Sequence, residues 1–301
     1  MQQPGPAAPA PASRWDGAGS AAELAAANGL GAADAPLSLP RYLAALWQRR
    51  HFVSSLASAR RRTQYSENRL GPVWFVLNPI LSAAIYYLIF GVLLQTSRDI
   101  PNFPAFLVIG VFVFGFTTRC TGSGATAITS NTGLIRALHF PRATLPVAAV
   151  VVLFRDFLIS LAVMAAIVLL MREPLTWNWL LVVPAITLLT MFNLGLALFL
   201  SRLVAQVRDI NQVLPFIIRI WMYISGVFFS VTMVSDRLPH NLNWLLEANP
   251  MATYISLVRD CLMYSEVSQP WAWWAGAGWA IFALAGGFWF FYRAEERYGR
   301  S

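Results

Sequence analysis

LPVAAVVVLFRDFLISLAVMAAIVLLM, Leu145–Met171, runs for 27 residues with one adjacent charged pair, Arg155-Asp156. As a helix it would rise about 40 Å, and the ~30 Å hydrocarbon core of a bilayer takes about 20 residues. Working outward, comparable apolar stretches lie at Val73–Gln95, Phe103–Cys120, Trp177–Leu200, Val213–Val234 and Trp271–Tyr292. The chain is 57% apolar and 12% charged, and a soluble protein does not carry this many uninterrupted runs. Only helices and closed barrels satisfy their backbone in lipid, and barrel strands are roughly half as long. The fold class predicted is therefore an all-α integral membrane protein with six transmembrane helices.

Charge orients the spans. All 22 basic residues are arginine, as codon bias in a GC-rich, alanine-favouring genome would produce. The +8 balance does not point to nucleic acid, because no basic stripe with interleaved aromatics sits on a soluble domain. It follows the positive-inside rule instead. Residues 1–72, the Asn131–Ala143 and Ser201–Gln212 loops and the tail after Tyr292 hold fifteen arginines. The opposite loops hold four, Arg98, Arg172, Arg237 and Arg259. Both termini are predicted to be cytoplasmic. Arg119, Arg155 and Arg219 fall inside spans, and Arg219, two turns into the fifth on its cytoplasmic side, can snorkel to the headgroups.

Residues 1–40 are rich in Ala, Pro and Gly without an apolar leader core, and read as a disordered cytoplasmic tail. Residues 41–72 form a second cytoplasmic element. Tyr42, Ala45, Leu46, Phe52, Val53 and Leu56 recur at three- and four-residue spacing, flanked by Arg49, Arg50, Arg60, Arg61 and Arg62. That pattern suits an amphipathic helix in the inner interface, its arginines reaching the headgroups; a solvated helix is the plainer alternative. Residues 73–292 hold the spans, and 293–301 form a cytoplasmic tail. Cys120 and Cys261 fall on opposite sides in this topology, so no internal disulfide is expected, and no metal-ligand spacing occurs.

Arg119, in a small and polar run ending the second span, is costly in lipid unless paired or hydrated. Arg155 and Asp156 point about 100° apart on a helix, so each is placed to pair with another element, for structure or along a transport path. Between the fifth and sixth spans lies an outer insert, Ser235–Pro270. Within it Met251, Tyr254, Ile255, Val258, Cys261 and Leu262 form a helical stripe opposite Thr253, Ser256, Arg259 and Asp260. Asn249-Pro250 supplies the start signal, and Leu242, Leu245 and Leu246 form a shorter apolar cluster before it. Two half-length re-entrant helices fit this insert better than a long structureless loop; a surface lid is the other reading.

Several motifs now stand in one order. Leu70-Gly71-Pro72-Val73-Trp74 and Asn78-Pro79 open the first span, and Phe140-Pro141-Arg142 with Leu145-Pro146 follows the second. Arg208-Asp209-Ile210 follows the fourth, and Asn249-Pro250-Met251 begins the insert, with Arg259-Asp260 inside it. In this order over residues 41–298 the chain resembles the membrane subunits of type-2 ABC exporters, in the branch that moves polysaccharides and lipid-linked glycans. The resemblance implies a half-transporter that forms a homodimer and binds two copies of a separate cytoplasmic ATPase, in a bacterial plasma membrane. It implies no cofactor on this chain, with ATP and Mg on the partner. The chain has no G-x-x-x-x-G-K-[ST], which it cannot have without lysine.

By the same resemblance, the ATPase-coupling contacts fall on Asn131, Arg136, Arg142, Arg202, Arg208 and Asp209, and residues 41–62 match a gate helix. Arg49, Arg50, Arg60, Arg61 and Arg62 are plausible partners for a polyprenyl pyrophosphate or for headgroups, since guanidinium binds phosphate bidentately; positive-inside bias explains them equally well. Trp74, Phe75, Tyr86, Tyr87, Trp221, Tyr223, Phe228 and Phe229 could line a sugar channel, and interfacial anchoring uses the same residue types. The expected cargo is a lipid-linked glycan of the O-antigen or cell-wall galactan kind, with a teichoic acid or a lipophilic drug as alternatives. A polyprenyl-phosphate glycosyltransferase would need clustered carboxylates, and these are scattered. A secondary transporter would need midplane carboxylates, and Asp156 alone qualifies; no inverted repeat is evident.

Overall fold

The computed structural model describes residues 39–66, 71–95, 100–138, 140–230, 248–263 and 270–293, and every regular element among them is helical. Two helices, α1 (Leu39–Gln48) and α2 (Arg50–Ser66), stand where one interfacial helix was expected, separated at Arg49. Next come α3 (Gly71–Tyr86), which continues as a π-helical stretch over Tyr87–Leu93, and α4 (Phe103–Ala125). A short α5 (Thr132–Ala137) leads to α6 (Thr144–Leu170). A 3-10 turn at Trp177–Leu181 feeds α7 (Val182–Gln206), followed by α8 (Ile210–Ile224), α9 (Pro250–Met263) and α10 (Pro270–Tyr292).

Among the described residues five helices are long and apolar enough to cross a bilayer: Val76–Leu93, Phe103–Ala125, Thr144–Leu170, Trp177–Gln206 and Pro270–Tyr292. The expected Val213–Val234 span is represented by the 15-residue α8. The helix stops because Ser225 turns its hydroxyl back onto the Trp221 carbonyl and Gly226 takes a left-handed φ of 67°. Glycine enters that conformation without the Cβ clash other residues meet. Residues 231–247, with the rest of that span and the Leu242–Leu246 cluster, lie outside the described residues.

Helix α4 is the central rod, with α3, α6, α7 and α9 packed around it. Phe116 on α4 stacks on Phe157 of α6 at 4.3 Å between ring centroids. Lipid is as apolar as leucine, so helices in it associate through close packing and hydrogen bonds rather than through the hydrophobic effect. The closest approach is between α7 and α10. A Cβ at Gly195 would run into the Ala283–Leu284 backbone, and one at Gly287 into the Gly195 backbone. Gly124 on α4 meets Ala197 of α7 in the same way.

The two ends of the bundle are tied differently. At one, Asn102 donates through Nδ2 to the Met171 carbonyl at 3.0 Å and to Glu173 Oε1 at 2.6 Å, joining the start of α4 to the end of α6. At the other, Tyr42 of α1 is buried against Ala127, Ala143, Leu145, Leu198 and Phe291. This second end, rich in arginine, gathers α1, α5, the start of α6 and the ends of α4, α7 and α10.

Helix α9 corrects one expectation. It starts where Asn249-Pro250 predicts, with Asn249 Oδ1 accepting from the Met251 N–H at 3.0 Å as an N-cap. Its supposed polar face, however, is not a free face: Thr253 and Arg259 are buried, Asp260 is half-buried, and Ser256 alone of the four is exposed. A surface lid is excluded for this helix, which packs against α4, α7 and α10. The physical reason is Arg259, 5% exposed, whose guanidinium serves the backbone left open at the end of α8. Nε and Nη2 donate to the Phe106 carbonyl, Nη1 to that of Gly226 and Nη2 to that of Val227, at 2.7–3.1 Å.

Candidate functional site

The arginine-rich end is assembled by short-range chemistry. The Tyr42 hydroxyl accepts from the Ala143 N–H at 3.2 Å, and its ring lies against Phe288 and Tyr292. Phe52 of α2 meets Phe140, in the loop before α6, at 5.4 Å. Val53 and Ala57 are buried where α2 packs on α6, and Arg155 Nη2 donates to Ser54 Oγ at 3.1 Å across that junction. The first two helices are therefore bound to the spans by an aromatic cluster and one charge-assisted hydrogen bond.

On this platform sit the residues singled out for coupling. Asn131 is half-buried and donates to the Ala127 carbonyl at 2.8 Å, so it finishes the turn after α4. Arg136 on α5 is exposed, while Leu134 and Ile135 anchor that helix against the aromatic cluster. Pro141 is buried and Arg142 half-buried in the turn that caps α6, where Thr144 Oγ1 donates to the Pro141 carbonyl. Arg202 is engaged within the chain: it donates to the Phe290 carbonyl, and its guanidinium lies 3.9 Å over the Phe290 ring. Arg208 and Asp209, between α7 and α8, are both exposed. Two exposed segments, α5 and residues 206–209, thus present themselves at one end.

Trp47, Arg49, Arg50 and His51 form an exposed patch on α1 and α2, with Arg50 5.7 Å over the Trp47 ring. The side chains of Arg60, Arg61 and Arg62, and that of Phe75, lie outside the described residues. An exposed tryptophan among arginines suits the headgroup layer, where its ring meets acyl chains and the cations meet phosphate.

The candidate channel aromatics divide. Trp74, Tyr87 and Tyr223 are exposed on α3 and α8. Phe228 is buried, T-shaped to Tyr86 at 4.8 Å, stacked on Phe90 at 4.5 Å and 5.4 Å from Tyr223. Trp221 Nε1 donates to Asn249 Oδ1 at 2.9 Å, with its ring near Phe114 and Phe192. Phe229 is half-buried. The intramembrane charges also divide: Arg119 and Arg155 are half-buried, and Asp156 is 3% exposed in the core.

Two residues carry more structure than the sequence reading gave them. Asn249 caps α9 and also closes α8, donating through Nδ2 to the Ile224 carbonyl and Ser225 Oγ. Arg259 holds the chain just beyond. An arginine flanked by apolar residues at helical spacing is the available signal; from sequence it reads as part of a polar face because the broken backbone it serves is invisible there.

Comparison with known proteins bears on the family of the chain. The family model described as ABC-2 type transporter matches residues 53–263. The chain is 27% identical over 216 residues to the O-antigen export system permease protein RfbA of Myxococcus xanthus, covering 72% of this chain and 82% of that one. It is 28% identical over 205 residues to the protein of the same name from Klebsiella pneumoniae, covering 67% and 76%. It is also 25% identical over 226 residues to the polysialic acid transport protein KpsM of Escherichia coli, covering 72% and 83%.

Proposed function

The chain belongs to the ABC-2 type transporter family, and from that premise we propose that it is the permease subunit of an ATP-driven polysaccharide exporter. The cargo in this reading is a polyprenyl-pyrophosphate-linked glycan of the O-antigen or cell-wall galactan kind, moved from the cytoplasmic to the outer side of the plasma membrane. Two copies of the chain form the path, and two copies of a separate ABC ATPase, holding ATP and Mg, dock on the arginine-rich end. That end is then cytoplasmic, as are both termini. The alternative cargoes, a teichoic acid or a lipophilic drug, use the same machinery; the names of the relatives favour a polysaccharide.

The observation that carries this reading is the convergence at one end. The α1–α2 pair, α5 and the Arg208-Asp209 turn share a platform held by Tyr42, Arg202 and Phe291. A push on the exposed α5 or on residues 206–209 passes through that packing into α4, α6, α7 and α10 together. The headgroup patch at Trp47, Arg49 and Arg50 stands beside it, where a lipid pyrophosphate would be met. Purification of the tagged chain from its native membrane tests the reading. A P-loop ATPase should accompany it, and deletion of the gene should strip a polysaccharide from the cell surface while its lipid-linked precursor accumulates inside. A stable, transport-competent preparation without an ATPase would refute it.

A further inference from the structure

Helix α8 carries three different stripes. Leu214 and Ile218, with Trp221, turn into the protein. Val213, Ile217, Ile220 and Ile224 are exposed and wholly apolar, fit for lipid or a second copy of the chain. Gln212, Phe216, Arg219 and Tyr223, recurring at four, three and four residues, form an exposed stripe that is polar and aromatic.

The depth of Arg219 gives this third stripe its meaning. The Trp221 ring lies 5.9 Å from that of Phe114, which is 11 residues into the 23-residue α4. At 1.5 Å per residue that contact is about 16 Å from the start of α4, near the middle of the bilayer. Arg219 precedes Trp221 by two residues, so its backbone lies close to the midplane and its exposed side chain starts from that depth. A charge there is costly by several kcal/mol or more unless it faces water or a counter-charge. This stripe therefore does not face lipid.

Among the described residues, α3, α4, α7, α8 and α10 carry no aspartate or glutamate, Asp156 on α6 is buried in the core and Asp260 on α9 is half-buried. No described residue accepts a hydrogen bond from Arg219. Tyr223 lies one turn on from Arg219 along the same stripe, and its ring meets that of Tyr86 through Phe228, which both contact. An arginine fork with phenols on the same face of the protein offers donors to an anion and ring faces to a sugar.

The geometry points to Arg219 as an anion-binding residue of the translocation path, with Tyr86 and Tyr223 on the same face of the protein, that takes a carboxylate or phosphate borne by the cargo. This deepens the exporter reading and rests on it. The anion comes either from acidic or phosphorylated sugars along the glycan or from the lipid pyrophosphate at its end.

The test uses the full-length chain in lipid nanodiscs, without the ATPase, and equilibrium binding of three probes. These are a sugar-free polyprenyl pyrophosphate, a soluble uronate oligosaccharide and a neutral oligosaccharide of equal length. Arg219→Gln should weaken at least one anionic probe by about tenfold or more, leave the neutral probe unchanged, and be largely rescued by Arg219→Lys. The probe that responds names the source of the anion. Phe216→Glu, which sets a carboxylate one turn from an intact Arg219, should cause the same loss and decides the matter if the glutamine variant does not fold. Equal binding of both anionic probes by the parent chain and these variants overturns the inference. So does a parent chain that binds neither probe. An Arg219-dependent anion site in a chain that recruits no ATPase would instead remove the exporter reading and leave this site standing.

Discussion

Arg259, on α9, holds the main-chain oxygen of Phe106, on α4, through two donors at 3.1 and 3.0 Å, with its guanidinium carbon 3.2 Å from the Phe106 ring centroid. The same side chain closes the Gly226 and Val227 carbonyls, so one residue joins α9, α4 and the backbone after α8. Arg259→Met leaves those buried oxygens short of donors, at about 1–3 kcal/mol for each group not otherwise satisfied. A large drop in the thermal midpoint of the detergent-solubilised protein is expected, with Arg259→Lys intermediate because an ammonium cannot span the same fork. An unchanged midpoint for Arg259→Met would remove the clamp.

The contact of α7 with α10 makes a sharper comparison between glycines. Gly195→Ala forces its methyl into the Ala283–Leu284 backbone and should cost about 1–3 kcal/mol. Gly278→Ala, whose methyl meets nothing within 4 Å, should be neutral or stabilising by up to about 1 kcal/mol through helix propensity. Thermal unfolding of the two variants side by side checks the order, and equal effects would contradict the packing.

Tyr42 tests how the N-terminal helices are attached. Tyr42→Phe removes the hydroxyl that accepts from Ala143 and should cost about 1 kcal/mol. Tyr42→Ala also removes the contacts with Phe288 and Tyr292, and should cost about 3 kcal/mol or more. Hydrogen exchange should quicken across residues 39–48 in the alanine variant and much less in the phenylalanine one.

The bond from Arg155 to Ser54 is suited to a double-mutant cycle. Arg155→Gln and Ser54→Ala should each loosen α2 from α6, and together should do little more than either alone. A coupling of about 1–2 kcal/mol is expected for one half-buried, charge-assisted hydrogen bond. Strict additivity would show that the Arg155–Ser54 bond contributes nothing to holding α2 on α6.

The spans were legible because hydropathy over 20 residues reports a physical constraint no other fold meets. Asn249-Pro250 was legible for a similar reason: capping is local, and its partner Met251 lies two residues away. The end of α8 was not. Residues Val227 to Val234 continue the apolar run, and nothing local reveals that Gly226 turns the chain or that an arginine 33 residues on accepts the consequence. Arg202 shows the same limit at the other end. It reads as a loop cation, yet its guanidinium lies on Phe290, a contact set by the close approach of α7 and α10. The exposed stripe with Arg219 was hidden because burial around α8 depends on which neighbours pack on it.

The central claim is that the arginine-rich end transmits ATP turnover to the spans. The most direct measurement is ATP hydrolysis and glycan export by the complex reconstituted in liposomes, comparing the parent chain with an Arg208→Ala, Asp209→Ala double variant. Both residues are exposed and outside the packing that holds the end together. The account predicts a folded, membrane-inserted variant in which export and cargo-stimulated ATP turnover both fall by about tenfold or more. Export and turnover at the parent rates, or a parent chain whose export needs no ATPase, would contradict it.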